Sequence, residues 1–424
     1  MVRTSIICVC ALVLWGLAND ARGDGAMRDA LGARSAGRGG ANLAFADNGA
    51  VLHDNPGALT AVAGEGLVDV NFDLLVTDLE YADADNPHVD ASDNPFPLAQ
   101  TTIIRHAPGG WSYGVGVYST AGFCATYDMQ GPAAFPGRQR YKSIGTLARI
   151  LPAVAYQVTD WLSVGASLGV AASHMELEGP YYLQSPGPWR GAPTLLDLQA
   201  TGASPTGAVG LQVLLTPTTT VGLAYYEETR MRLDGTARVT VPGLGQSAFD
   251  ADFRMAWPRS LGLGVRQEVG LQGVLSADVY WYNWSRAFDN FRVNLSDASN
   301  PVFAQVLGPQ IQETMPLAWR DTVSVRVGYE HFLTERQVVR AGYIYHRNPI
   351  PDGTLAPFIQ TTLEHSPSIG YGWQNECYAI DLAYQYSFDR PRDVASSDFV
   401  GGDFDQARHH TTAHWFFFSF LRRF

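Results

Sequence analysis

Four charged residues stand where alternating hydrophobicity makes them conspicuous. Val323, Val325, Val327 and Tyr329 oppose Ser324, Arg326 and Gly328, while Ile380, Leu382, Tyr384 and Tyr386 oppose Asp381, Ala383 and Gln385. Asp278 and Glu330 fall on the same polar faces as Arg326 and Asp381. Two kinds of chemistry suit such a set. An arginine there could grip a ligand carboxylate through paired hydrogen bonds. Alternatively, the four neutralise one another as an ion-pair network lining a lumen, which is the commoner arrangement. His409, His410 and His414 suggest metal, but they alternate across a strand and lack a compact ligand set. Scattered Ser and His residues set up no nucleophile worth assigning. The expectation is therefore no enzyme, no cofactor and no metal.

A second informative stretch is conformational. Residues 31–59 hold six Gly and seven Ala among 29 residues, yet Leu31, Leu43, Phe45, Val51, Leu52 and Leu59 are spaced along them. The stretch closes on the turn Asp54-Asn55-Pro56-Gly57. That composition suits a compact segment packed inside something larger.

The elements that must position these residues are strands. Residues 162–170 alternate cleanly, with Leu162, Val164, Ala166, Leu168 and Val170 against Ser163, Gly165, Ser167 and Gly169. Strands are predicted near 66–80, 98–107, 110–121, 141–157, 160–178, 196–214, 219–233, 249–267, 271–287, 317–330, 335–347, 364–374, 377–388 and 409–424. Short turns at 108–109, 159–160, 216–218, 269–270, 333–334 and 375–376 alternate with long loops rich in Pro, Gly, Asp and Asn. This alternation fits an all-β, 14-stranded antiparallel transmembrane β-barrel. Trp and Tyr gather near strand ends, as at a membrane interface. A soluble sandwich or propeller also shows many alternating strands, but no 40–50-residue repeat is visible.

The remaining features bound the setting. Arg3, the apolar run 6–18 and Ala21-Arg22-Gly23 read as an export signal cleaved before Asp24. A net charge of −12 argues against nucleic acid as a partner. Past the signal, Cys124 and Cys377 are too few for a disulfide framework and read as isolated thiols, with a bridge as the minority reading. The chain ends HWFFFSFLRRF, with Phe416, Phe418, Phe420 and Phe424 on one face. That resembles the terminal signal read by the outer-membrane barrel-insertion machinery, interrupted here by Arg422.

The run GARSAGRGGANLAFADNGAVLHDNPGAL resembles the N-terminal hatch of the FadL-type outer-membrane transporters of long-chain fatty acids and aromatic hydrocarbons. PAVAYQVTDWLSVGASLGV at 152–170, ADVYWYNWS at 277–285, WRDTVSVRVGYEHFLTERQVVRAGYIYHRNPIPDG at 319–353 and IDLAYQYSF at 380–388 follow in the family's order. The resemblance implies a small N-terminal plug (hatch) inside the barrel lumen, with residues 1–23 as signal peptide, 24–64 as hatch and 65–424 as barrel. It implies passive uptake of a long-chain fatty acid or an aromatic or aliphatic hydrocarbon, with capture at the loops, hatch movement and lateral release. The surroundings would be outer-membrane lipid and lipopolysaccharide of a Gram-negative-type bacterium, and the protein a monomer. Phe45, Asn55, Pro56 and Gly57 would belong to the hatch and channel. The third strand, with Gly110, Gly114 and Gly116, would carry the lateral gap or merely give the plug room. Asp278, Arg326 and Asp381 would supply lumen charges. One departure is Asn55-Pro56-Gly57-Ala58, where the family has Asn-Pro-Ala-Gly. The alternative is a general porin or structural barrel.

Overall fold

Period-two alternation becomes a wall whose two faces meet different solvents. The computed structural model describes residues 25–424 apart from Asp93 and Asp403, so the expected export signal lies outside the described residues. Fourteen of the described strands form the wall. They are β1 Gly66–Ala82, β2 Phe96–Ala107, β3 Trp111–Gln130, β4 Arg138–Thr159, β5 Leu162–Tyr182, β6 Pro193–Thr216, β7 Thr219–Tyr226, β8 Ser260–Val269, β9 Gly273–Tyr282, β10 Thr322–Phe332, β11 Gln337–His346, β12 His365–Gln374, β13 Tyr378–Phe388 and β14 Ala407–Arg423. Each pairs antiparallel with the next. The ring closes where β14 pairs with β1, from Leu67↔Arg423 to Ala82↔Arg408. Closure gives every wall strand a neighbour on both sides, as a chain crossing lipid requires.

Burial settles the barrel against a soluble sandwich. On β1, Asp69, Asn71 and Asp73 are buried while Val70 and Phe72 between them are exposed. Phe416, Phe418 and Phe420 on β14 are likewise exposed beside buried Ser419. Polar residues inside and apolar residues outside is the pattern of a lipid-facing barrel. No described helix is long and apolar enough to cross a membrane.

Two stretches depart from the predicted strands. Residues 219–233 and 249–267 do not run through as single strands. They break at Glu227-Glu228 and Pro258-Arg259, and between the breaks stands a separate hairpin, Thr229–Val241 with Gly245–Trp257. Pro258 offers no N–H to a ladder, and Glu228 leaves the strand to meet arginines. The hairpin continues the wall beyond the barrel, pairing with β6 on one side and with Asn290–Ser296 on the other. Much of the predicted loop 122–140 is also strand, because β3 runs on to Gln130 and β4 begins at Arg138.

The described part of the N-terminal segment lies within the ring. It forms a short helix at Gly32–Gly37, a single turn at Val51–Asp54 and a 3-10 stretch at Pro56–Ala61. It touches opposite sides of the wall: Ala33 N–H donates to Ser419 Oγ of β14 (2.8 Å), and Ser163 Oγ of β5 donates to Gly57 O (2.7 Å).

Candidate functional site: a lumen of two chemistries

Toward the short turns the lumen is held by charge. Arg34 Nε bonds Asp381 Oδ2 at 2.7 Å, and Asp381 Oδ1 takes Arg340 Nη1 at 2.7 Å. Arg340 Nε reaches Glu330 Oε1 at 2.5 Å, which also meets Arg38 Nη1 at 3.3 Å. Arg38 continues to Asp47 at 2.9 Å. Two arginines of the N-terminal segment are thereby chained to the wall. Burial disfavours the Asp47 charge, but Arg38, then Arg34 and Arg340, hold its carboxyl well below the usual range. Buried charges persist when each is answered this way. A cavity of about 470 Å³, bordered by Arg34, Asp47, Arg340, Arg266 and Arg423, opens beneath the network.

The closing turn is fixed by shape. Asn55 Oδ1 accepts from Gly57 N–H (3.1 Å), while its Nδ2 donates to Leu43 O (2.8 Å) and to Leu211 O of β6 (3.0 Å). A Cβ on Gly57 would lie 2.6 Å from Gly210 O, and one on Gly210 would lie 2.1 Å from Asn55 Oδ1. Segment and wall approach too closely there for any side chain. This gives the Gly57-Ala58 order its reason: the glycine sits where backbone meets backbone, and Ala58 is accommodated fully buried.

Higher in the barrel the wall itself is interrupted. The β2–β3 ladder runs from Ala107↔Trp111 only to Thr101↔Val117. From Tyr118 to Gln130, β3 keeps its β4 partner but has none on β2, and a register shift falls between Ser119 and Ala121. The N-terminal peptide takes up part of that bare edge. Gly122 N–H donates to Ala26 O (2.9 Å), Arg28 N–H donates to Thr120 O (3.0 Å), and Arg28 is anchored on Asp73 at 2.5 Å. Beside this junction lies a cavity of about 360 Å³, bordered by Ala26, Leu79, Leu98, Phe123, Leu147 and Phe417. Toward the loops, a narrower pocket of about 60 Å³ is walled by Leu198, Phe253, Phe291, Leu295 and Met315, and it shares Phe123 with the larger cavity.

The residues named from sequence distribute as follows. Asp381 joins the ion-pair chain. Asp278 accepts N–H bonds from Asn42 (2.7 Å) and Leu43 (2.9 Å), so it holds the segment's backbone. Arg326 bonds Asp29 O (2.5 Å) and Tyr282 Oη (3.2 Å) and stacks on Tyr280, serving structure more than a ligand. Phe45 lies under the Arg38 guanidinium at 3.5 Å, bordering the short-turn cavity. Gly114 and Gly116 sit inside the paired part of β3 and Gly110 in the turn before it, whereas the ladder is interrupted beyond them. Among the three histidines, His409 turns inward to Gln360 while His414 meets Tyr384 on the other face. Two Gly-x-Ser-x-Gly spacings, at Ser112 and Ser167, escaped the sequence reading. Both serines lie in wall strands, not on a strand-to-helix elbow. Ser112 Oγ meets His106 Nδ1 at 2.7 Å, but the far ring nitrogen faces Val62 O, so no carboxylate orients the imidazole.

Sequence reasoning also missed Arg149. It is 3% exposed on the inner face of β4 and has no ion-pair partner among the described residues. Its Nη1 lies 3.5 Å from His53 Nε2, and its Nε has no hydrogen-bond partner. It borders a chamber of about 30 Å³ with His53, Tyr226 and Tyr282, separated from the larger apolar cavity by residues 27–30. The available signal was an arginine at an inward position between Leu147 and Leu151.

A closed antiparallel barrel, apolar outside and enclosing a peptide beside apolar cavities, defines an outer-membrane channel for hydrophobic molecules. The chain belongs to the outer membrane transport protein family (OMPP1/FadL/TodX), whose model matches residues 16–424. No curated protein matches it. Among solved structures, it is similar to a Pseudomonas aeruginosa FadL homologue (18% identity, 94% of this chain and 100% of that one, TM-score 0.75). It is similar also to the Pseudomonas putida toluene transporter TodX (18%, 96% and 99%, 0.76) and the Ralstonia pickettii toluene transporter TbuX (19%, 93% and 99%, 0.73).

Proposed function

We propose that this protein carries hydrophobic compounds passively inward, with residues 24–64 acting as a hatch in a barrel formed by 65–424 once the export signal 1–23 is removed. The observation that carries this reading is the pair of apolar cavities in series, joined at Phe123 and ending where the β2–β3 ladder is interrupted. A ligand captured among the loops moves past Phe123 into the larger cavity. Displacing the peptide at Ala26–Arg28 then frees the bare β3 edge for sideways release. Capture needs no energy input: each buried CH₂ is worth about 0.8 kcal/mol, so a sixteen-carbon chain gains on the order of ten. A general porin fits less well, since the lumen is occupied by the segment.

For ligand class, uncompensated Arg149 favours a long-chain fatty acid, whose carboxylate it would receive once residues 27–30 shift aside, while the tail stays in the apolar cavity. A neutral hydrocarbon is the second reading, favoured by the loop-side pocket, whose charged lining residues are Glu176 and Glu313. Uptake of labelled oleate and labelled toluene, in cells with and without the protein, decides between them. On the first reading, Arg149→Gln slows oleate roughly tenfold and leaves toluene alone. Uptake of both compounds independent of the protein sinks the transport reading.

A further inference from the structure

The outer face of the hairpin above the barrel carries a charge pattern that transport leaves unused. Arg292, Arg254 and Arg232 stand directly opposite one another on three neighbouring antiparallel strands. Like charges in that register repel. They point outward, because Leu233, Phe253 and Phe291 between them are buried. Arg232 and Arg254 are 61% and 71% exposed. Nearer the barrel, Glu228 alone receives Arg230 (2.5 Å), Arg286 (3.0 Å) and Arg259 (3.9 Å). Asp252 meets Arg232 (2.5 Å) and, at 3.7 Å, Arg254, and Asp234 meets Arg232 at 3.1 Å. Arg292 has no carboxylate partner among the described residues. Five of these six arginines thus share three carboxylates and the sixth has none, in a chain whose overall charge is −12. Nearby Glu227 accepts from the Tyr225 hydroxyl, and Asp250 lies farther from the barrel.

The height of the cluster identifies its partner. Arg259 directly precedes β8, whose Leu261 and Leu263 are exposed to lipid. Leu261 is flanked in register by Tyr225 and Trp281, an aromatic pair of the kind that marks a membrane interface. At about 3.3 Å per residue, Arg254 stands no more than ~23 Å along the strand beyond that boundary. On the long-loop side this is the layer of lipid heads and inner sugars. We infer that the arginine ladder Arg232–Arg254–Arg292, with Arg230 and Arg286 below it, binds the phosphorylated head of an outer-leaflet glycolipid. Guanidinium forks match phosphate oxygens, and bound phosphate would relieve the cross-strand repulsion.

The test uses delipidated full-length protein in detergent, with binding of diphosphorylated lipid A followed by native mass spectrometry and titration. The same glycolipid stripped of phosphate and inorganic phosphate alone are the comparison arms. Arg232→Gln/Arg254→Gln/Arg292→Gln is expected to weaken lipid A binding roughly tenfold or more, whereas Arg138→Gln/Arg140→Gln, on a different part of the outer face, leaves it unchanged. Arg292→Gln alone touches no ion pair, so it guards against a folding defect and is expected to cost about threefold. Equal binding by the triple variant overturns the proposal. So does equal binding of the stripped glycolipid, or inorganic phosphate binding as tightly as lipid A.

Discussion

The lumen of this barrel is two environments stacked along one axis, and they hold their contents differently. The short-turn half fastens the N-terminal segment through buried ion pairs running Arg34–Asp381–Arg340–Glu330–Arg38–Asp47. The loop half is greasy: Trp257, Trp284, Phe288, Phe291 and Trp319 pack ring against ring beneath the outer hairpins. Directional bonds fix one geometry and fail abruptly when a member is removed. Apolar contact is non-directional and scales with area, so it accepts guests of varied shape. The difference teaches where each task must reside. On the proposed function, closure would belong to the charged half and selection of hydrophobic molecules to the apolar half, and the interrupted β2–β3 ladder lies beside the peptide between them.

The sharpest way to break this division is to remove what the charged half holds. Deleting residues 24–60 should turn a barrel with little steady ion current into one with a large open conductance in planar bilayers. A wide, steady current through the intact protein would sink the closure assignment. Next in size is Asp381→Asn, which leaves Arg34 and Arg340 buried without their shared partner. A loss of about 3–5 kcal/mol is expected on breaking such a pair, read in urea unfolding of the detergent-solubilised barrel. Bursts of current should accompany it, with hydrophobic uptake retained. The apolar half answers to a different substitution. Phe253→Ala, which trims the loop-side pocket, should weaken ligand capture roughly tenfold and leave conductance unchanged. If instead Asp381→Asn abolished capture and Phe253→Ala opened the pore, the two halves would have exchanged roles.

How much of this was legible in the sequence follows from which interactions are local. Fourteen wall strands and six short turns follow from alternation and turn residues, because each strand's own pattern records which face meets lipid. The hairpin 229–257 was not legible as separate strands, since its alternation continues across Glu227-Glu228 and only Pro258 hints at a break. Asp278, Arg326 and Asp381 could be placed on inner faces, but not with their partners. The Asp381–Arg34 bond joins residues 347 apart, and no spacing rule connects them. The docking of Ala26–Arg28 on β3 left no trace, because a three-residue bridge has no period. Arg149 carried a usable sign, an inward charge among aliphatics, but whether it was paired depended on the fold.

The smallest expected effect concerns pH, and it distinguishes two groups of the same segment. His53 is buried beside Arg149, and burial lowers its affinity for a proton despite the Asp54 carboxylate at 2.9 Å. Its proton therefore goes to the displaced or unfolded segment, and seating weakens as pH falls below about 6.5, the ordinary histidine value. Asp47 behaves in the opposite chemical sense but in the same direction of pH. Its carboxyl is held low by Arg38 and Arg34, so its contribution is complete above about pH 4 and is lost as pH falls further. Hydrogen exchange of the 31–59 amides between pH 8 and about pH 2 should thus show two steps of rising exchange. His53→Asn should erase the step near 6.5 and leave the acidic one, and Asp47→Asn should do the reverse. A single step removed by neither substitution would show that neither His53 nor Asp47 governs the seating of the segment.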